Sequence, residues 1–146
     1  MNDLLRNAYG LDKKKATEGV WVVPSLMEGR TDPPMFKIAS ASKVNKEYHA
    51  AITAYAMRNR RKFELGVVSA KEQLDKALDF FVNYVLLDWR NLQDPDGNDI
   101  PYKPEYAKRL MLELDDLYTE LSQRAFDRST HGVEQDKEDM GKSESA

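Results

Sequence analysis

The chain has no cysteine, two histidines and no long apolar run. Without cysteine there can be no disulfide, thiolate zinc site or cysteine nucleophile. His49 and His131 are far apart in sequence, one on a predicted helix and one in the tail, so neither a Ser/His/Asp grouping nor a shared metal site can be argued from them. The opening Met-Asn-Asp-Leu-Leu-Arg lacks the apolar core of a signal peptide, and no segment approaches the roughly 20 apolar residues that span a bilayer. A soluble, intracellular protein that needs no cofactor and is not an enzyme is the resulting expectation.

What is present is polar and charge-balanced. The mean hydropathy is -0.68. The formal net charge of -3 resides in the last stretch, where Glu134, Asp136, Glu138, Asp139 and Glu144 outweigh Lys137 and Lys142. The body is formally neutral, which argues against a nucleic-acid footprint. At 146 residues the chain suits one domain.

Residues 1–18, with Lys13-Lys14-Lys15, read as a flexible lead-in with at most one helical turn. Val20-Trp21-Val22-Val23 and Met35-Phe36-Lys37-Ile38-Ala39 are short β-type runs separated by turn residues, and they predict a hairpin. A two-stranded ribbon is marginal alone and should pack on helices or pair with another subunit. Tyr48, Ala51, Ile52, Tyr55 and Ala56, with Phe63 at the same spacing, predict a first helix beginning near Ser42–Asn45 and running to about Lys62. Ser69-x-x-Glu72 is a capping box opening a second helix, whose stripe runs Leu74, Leu78, Phe81, Val82, Val85, Trp89. Pro104 suits the first position of a third helix, expected to continue through Leu110, Leu114, Leu117 and Leu121 to Phe126. Residues 128–146 lack periodicity and read as a disordered acidic tail. The predicted fold class is therefore mainly α. About three helices and a short N-terminal hairpin make one domain over residues 19–127.

Four motifs invite a chemical reading. Asp94-Pro95-Asp96-Gly97-Asn98 gathers oxygen ligands as a calcium loop does, but Lys103 stands where the bidentate Glu is required. A tight turn explains the same residues, since Pro fixes φ, Gly supplies positive φ, and Asp and Asn bond back to the backbone. Arg58-Asn59-Arg60-Arg61-Lys62 is the notable basic cluster, and cations at a helix C-terminus complement its dipole. Gly141-Lys142-Ser143 imitates a phosphate loop but lacks the earlier glycine, position 136 being Asp. Asp115 and Asp116 are consecutive, point to different helix sides and read as a solvated face. Three helices cannot easily bury Trp21, Phe36, Phe80, Phe81, Tyr84, Trp89 and Tyr102 together, so some apolar surface is expected to face a partner.

From the second helix onward the chain resembles the tail assembly chaperones of long-tailed bacteriophages. Phe80-Phe81-x-x-Tyr84-Val85-Leu86-Leu87-Asp88-Trp89 carries the likeness, followed by Asp94-x-Asp96-Gly97-Asn98-x-Ile100-Pro101-Tyr102. Ala107-x-x-Leu110-Met111 and Leu117-Tyr118-x-x-Leu121 complete it, and the earlier Phe36-Lys37-Ile38 followed by Asn45-Lys46-x-Tyr48, a less specific likeness, extends it to about residues 35–126. The resemblance implies a mostly helical, self-associating protein of the host cytoplasm, absent from finished particles. It would coat the tape-measure protein, whose apolar helices need grooves to stay soluble. Phe81, Val85, Trp89, Leu110, Leu114, Leu117 and Leu121 are the candidate groove residues by pattern, although the same residues are expected in the core.

Such genes often yield a second, extended product by a backward ribosomal slip, through which the tail tube protein becomes a further expected partner. Met140-Gly141-Lys142 would provide the slip-prone heptamer if the glycine codon is GGA. Two alternatives remain open. One is a structural tail or connector component using its hairpin between subunits. The other is a small nucleic-acid-binding regulator acting through Arg58–Lys62.

Overall fold

A computed structural model describes residues 3–133. Two helices open the chain, α1 (Asp3–Tyr9) and α2 (Lys13–Glu18), where the sequence reads as a lead-in. Asp12 caps α2 by accepting from the Lys15 amide, and Ala16 is fully buried. The strands β1 (Val20–Val22) and β2 (Met35–Ile38) pair antiparallel, Val22 opposite Phe36 and Val20 opposite Ile38.

A third strand, β3 (Leu86–Arg90), completes an antiparallel sheet of order β1-β2-β3, with Trp89 opposite Phe36. The second predicted helix therefore stops early. It is α5 (Ala70–Tyr84), capped by Ser69, whose hydroxyl accepts the Glu72 amide, and Trp89 belongs to the sheet. The physical reason lies in the β-bulge. Lys37 faces Asp88 while Ile38 faces Leu86, so Leu87 is an extra residue on β3. Leu86 and Trp89 consequently both point inward although they stand three residues apart, and that spacing imitates a helix.

The first predicted helix is divided into α3 (Lys46–Arg58) and α4 (Arg60–Glu64), which meet at Asn59. Asn45 caps α3 by accepting from the Tyr48 amide, and its amide donates to the Ser40 and Tyr84 carbonyls. The third predicted helix is broken as well. Leu114, at φ -112° and ψ 76°, separates α6 (Pro104–Glu113) from α7 (Asp115–Phe126). Asp115 and Asp116 thereby occupy the first turn of a new helix, where the dipole favours them, rather than the middle of an old one. A short α8 (Arg128–His131) follows, capped by Asp127.

Eight α-helices among the described residues and a three-stranded antiparallel sheet replace the expected three-helix domain. The expected hairpin survives as two of the three strands. Within the chain its strand partner is β3, from the middle of the sequence, and the sheet packs on helices. One core joins the sheet to α5, α6 and α7 through Phe36, Ile38, Phe81, Leu86, Met111 and Leu121, all buried. Lys108 ties α6 to α5 by bridging Asp75 at 2.7 Å and Asp79 at 2.8 Å. The tail from residue 134, with its expected disorder, the Gly141-Lys142-Ser143 look-alike and the codon at Gly141, lies outside the described residues.

Candidate functional site

The Asp-Pro-Asp-Gly-Asn turn is held from within. Asp94 Oδ1 accepts the Asp96 and Asn98 amides at 2.9 and 3.0 Å, and Gly97 supplies φ +83°. Its carboxylate is thus spent on the backbone, the chemistry of an Asx-turn. Among the described residues no group of three or more His, Asp or Glu could hold a metal ion.

The turn returns the chain beneath Trp89, whose Nε1 donates to the Ile100 carbonyl at 2.7 Å. Tyr102 packs edge-on to Trp89, centroids 5.0 Å apart, and its hydroxyl lies 2.6 Å from the Val82 carbonyl and 2.7 Å from that of Leu86. Burial, with the Asp88 charge adding to it, pushes the Tyr102 phenol far above its ordinary range, so this group stays protonated and donates. The single hydroxyl proton is shared between a carbonyl in the last turn of α5 and that of the first residue of β3.

On the other side of α6 lies an open groove of about 740 Å³. Phe36, Leu92, Leu110 and Leu117 line it, and the Leu114 corner borders one side. The opposite wall is the segment Pro24–Met27, which includes a short 3-10 turn at Ser25–Met27, together with Pro34. Leu26 is 83% exposed and Leu114 45%. Glu113, Asp115, Asp116 and Glu120 add a charged border of one sign.

Glu120 fastens the wall. Its carboxylate accepts the Ser25 amide at 2.9 Å and the Ser25 hydroxyl at 2.6 Å. Arg124 stands 3.6 Å from the same carboxylate and donates to the Val23 carbonyl at 2.8 Å. Partial burial works to raise the Glu120 pKa, but the two Ser25 bonds and Arg124 together hold it below the usual carboxylate value.

The seven residues selected by pattern divide between two places. Leu110, Leu114 and Leu117 line the groove. Phe81, Val85, Trp89 and Leu121 are 3%, 0%, 6% and 0% exposed and belong to the core. Sequence reasoning missed the opposite wall, Pro24 to Met27 with Pro34. The available signal was an apolar pair, Leu26-Met27, enclosed between prolines in a stretch otherwise read as turn.

Comparison with known proteins bears on this geometry. The model of a family described as YdaY prophage protein matches residues 38–142. The chain belongs to that family. It is accordingly a phage-derived protein. The YdaY match takes in α3 to α8, and with them the Leu110–Glu120 side of the groove; the Pro24–Met27 wall lies upstream of it. No curated protein matches the chain. No solved structure matches it either.

Proposed function

We propose that this YdaY family member is a tail assembly chaperone, acting by binding rather than catalysis. Its client is the tape-measure protein, kept soluble in the host cytoplasm while the tail tube assembles around it. The observation that carries the reading is the groove, an apolar trough left open on a single folded chain. Its volume falls within the roughly 300–1,000 Å³ of ordinary binding pockets. An amphipathic helix could lay one apolar face against Leu110, Leu114 and Leu117, the recognition mode in which i, i+3, i+4 side chains anchor a helix. Phage derivation and the resemblance of the Trp-turn-helix segment point to a client of this kind.

The test is capture of a tagged chain from prophage-induced cells before lysis, with the recovered proteins identified by mass spectrometry. The tape-measure protein should come with the native chain and be lost with Leu114→Asp or Leu117→Asp. Recovery of virion components in stoichiometric amount, with no tape measure, would instead make the chain a structural tail or connector component.

A further inference from the structure

The basic cluster does lie at helix ends, Arg58 in the last turn of α3 and Arg61 and Lys62 in that of α4, but its surroundings carry more than a dipole. Asn59 ends α3, and Arg60, Arg61 and Lys62 lie within the short α4. All four cations from Arg58 to Lys62 are exposed, and Arg60 pairs with Glu64 at 3.0 Å. Four cations against one acid give residues 58–64 a formal charge of +3. The same tip exposes large apolar side chains: Met57 at 73%, Leu65 at 65%, Val67 at 66% and Phe63 at 39%. Apolar area of this kind, edged by cations, is unusual on a surface that meets only water.

The groove has the complementary composition. Its apolar lining is bordered by Glu113, Asp115 and Asp116, all exposed, and by Glu120, which Ser25 and Arg124 engage. No residue of α4 lines it, so the two surfaces are separate within one chain. We propose that the α3–α4 tip of one copy docks in the Leu114 groove of a second copy. Leu65 and Phe63 would meet Leu114 and Leu117, while Arg61 and Lys62 face Asp115 and Asp116. Because tip and groove differ, a pair still has one free groove, on the copy that gave its tip, and one free tip, on the copy that gave its groove. The contact is heterologous, and it propagates as a ring or an open chain rather than ending at a symmetric dimer. Charge complementarity of this kind fixes register and partner choice.

The proposal uses the groove of the chaperone reading but does not need the client. Copy and client would compete for one surface, so the self-assembled form holds the groove covered until a client helix displaces the tip.

Sedimentation velocity of the purified full chain over a concentration series tests it. The native chain should form species beyond a dimer, with association weakened by salt. Arg61→Glu with Lys62→Glu should weaken association at least about tenfold, because like charges would then face each other. Asp115→Lys with Asp116→Lys should do the same. An equimolar mixture of the two double variants, and one chain carrying all four changes, should both reassociate. That recovery also shows that the variants are folded. If the groove variant does not fold, the tip variant alone decides by comparison with the native chain. A native chain that stays monomeric, or that associates equally with either swap, would overturn the proposal. Neither result decides the chaperone reading, which tape-measure capture tests separately. Failed capture with intact self-assembly would make the groove a self-docking surface only.

Discussion

His131 is 1% exposed, and its Nε2 stands 2.9 Å from the Ile38 carbonyl, an acceptor only, so that nitrogen carries the proton. Nδ1 is buried without a hydrogen-bond partner, and burial lowers the pKa, with the Lys15 charge acting in the same direction. The sign of the consequence follows from linkage. The unfolded chain takes up a proton near the ordinary histidine value while the folded chain resists it, so stability is full above that value and is lost as pH falls below it. The melting temperature should therefore drop between pH 7.5 and 5.5, above the range in which ordinary carboxylates titrate. His131→Gln should flatten that slope. A native chain whose melting temperature is level across the interval would refute the neutral, buried state. At Tyr102, replacement by Phe leaves the Val82 and Leu86 carbonyls short of a donor. The expected cost is about 1–3 kcal/mol, read as a lower urea midpoint at unchanged slope.

At the scale of elements, the groove wall is fastened by two side chains of α7. Ser25–Met27 contributes no buried residue; Glu120 of α7 fastens it at Ser25, next to the buried Pro24, and Arg124 holds the Val23 carbonyl before it. Glu120→Ala should leave global stability within about 1 kcal/mol, since the carboxylate is partly exposed and such pairs are screened. It should nevertheless speed hydrogen exchange at the Ser25 amide and reduce tape-measure capture. Unchanged exchange at Ser25 would mean that the wall is held by something else. The same segment shows where sequence reading reaches its limit. Caps and helix starts were legible, because Ser69, Asn45 and Pro104 act on neighbours a few residues away. The breaks at Asn59 and Leu114 were not, because Tyr55 to Phe63 and Leu110 to Leu117 keep helical spacing straight through them. The bulge at Leu87 likewise made a strand look helical. Of the groove, its α6–α7 side was legible from the stripe alone. The stripe could not separate Leu114 from Leu121, because only the corner turns one outward and leaves the other inside.

For the whole molecule, the two ends of the described chain meet, and this decides what the first residues contribute. Leu11 bridges Gly132, the Asp12 amide donates to the His131 carbonyl at 2.9 Å, and the Ser40 amide donates to the Ala16 carbonyl at 2.8 Å. Residues 10–18 thus join β2's exit to α8, whereas α1 buries no residue. Two truncations should behave differently. Removing residues 1–9 should shift stability by no more than about 0.5 kcal/mol, as for ordinary surface changes. Removing residues 1–18 takes away Ala16, the acceptor for the buried Ser40 amide and the cover over His131. Each orphaned buried group costs about 1–3 kcal/mol, so the loss should exceed 2 kcal/mol. It should also abolish the extra acid sensitivity, since water would then reach the His131 ring and its pKa would return toward the ordinary value. Urea titrations of both truncations at pH 7.5 and 5.5 separate these effects. If residues 1–18 could be removed without cost, the meeting of the chain ends would be incidental. A loss confined to the longer deletion, together with a vanished pH slope, would make α2 and α8 a single clasp at the exit of β2.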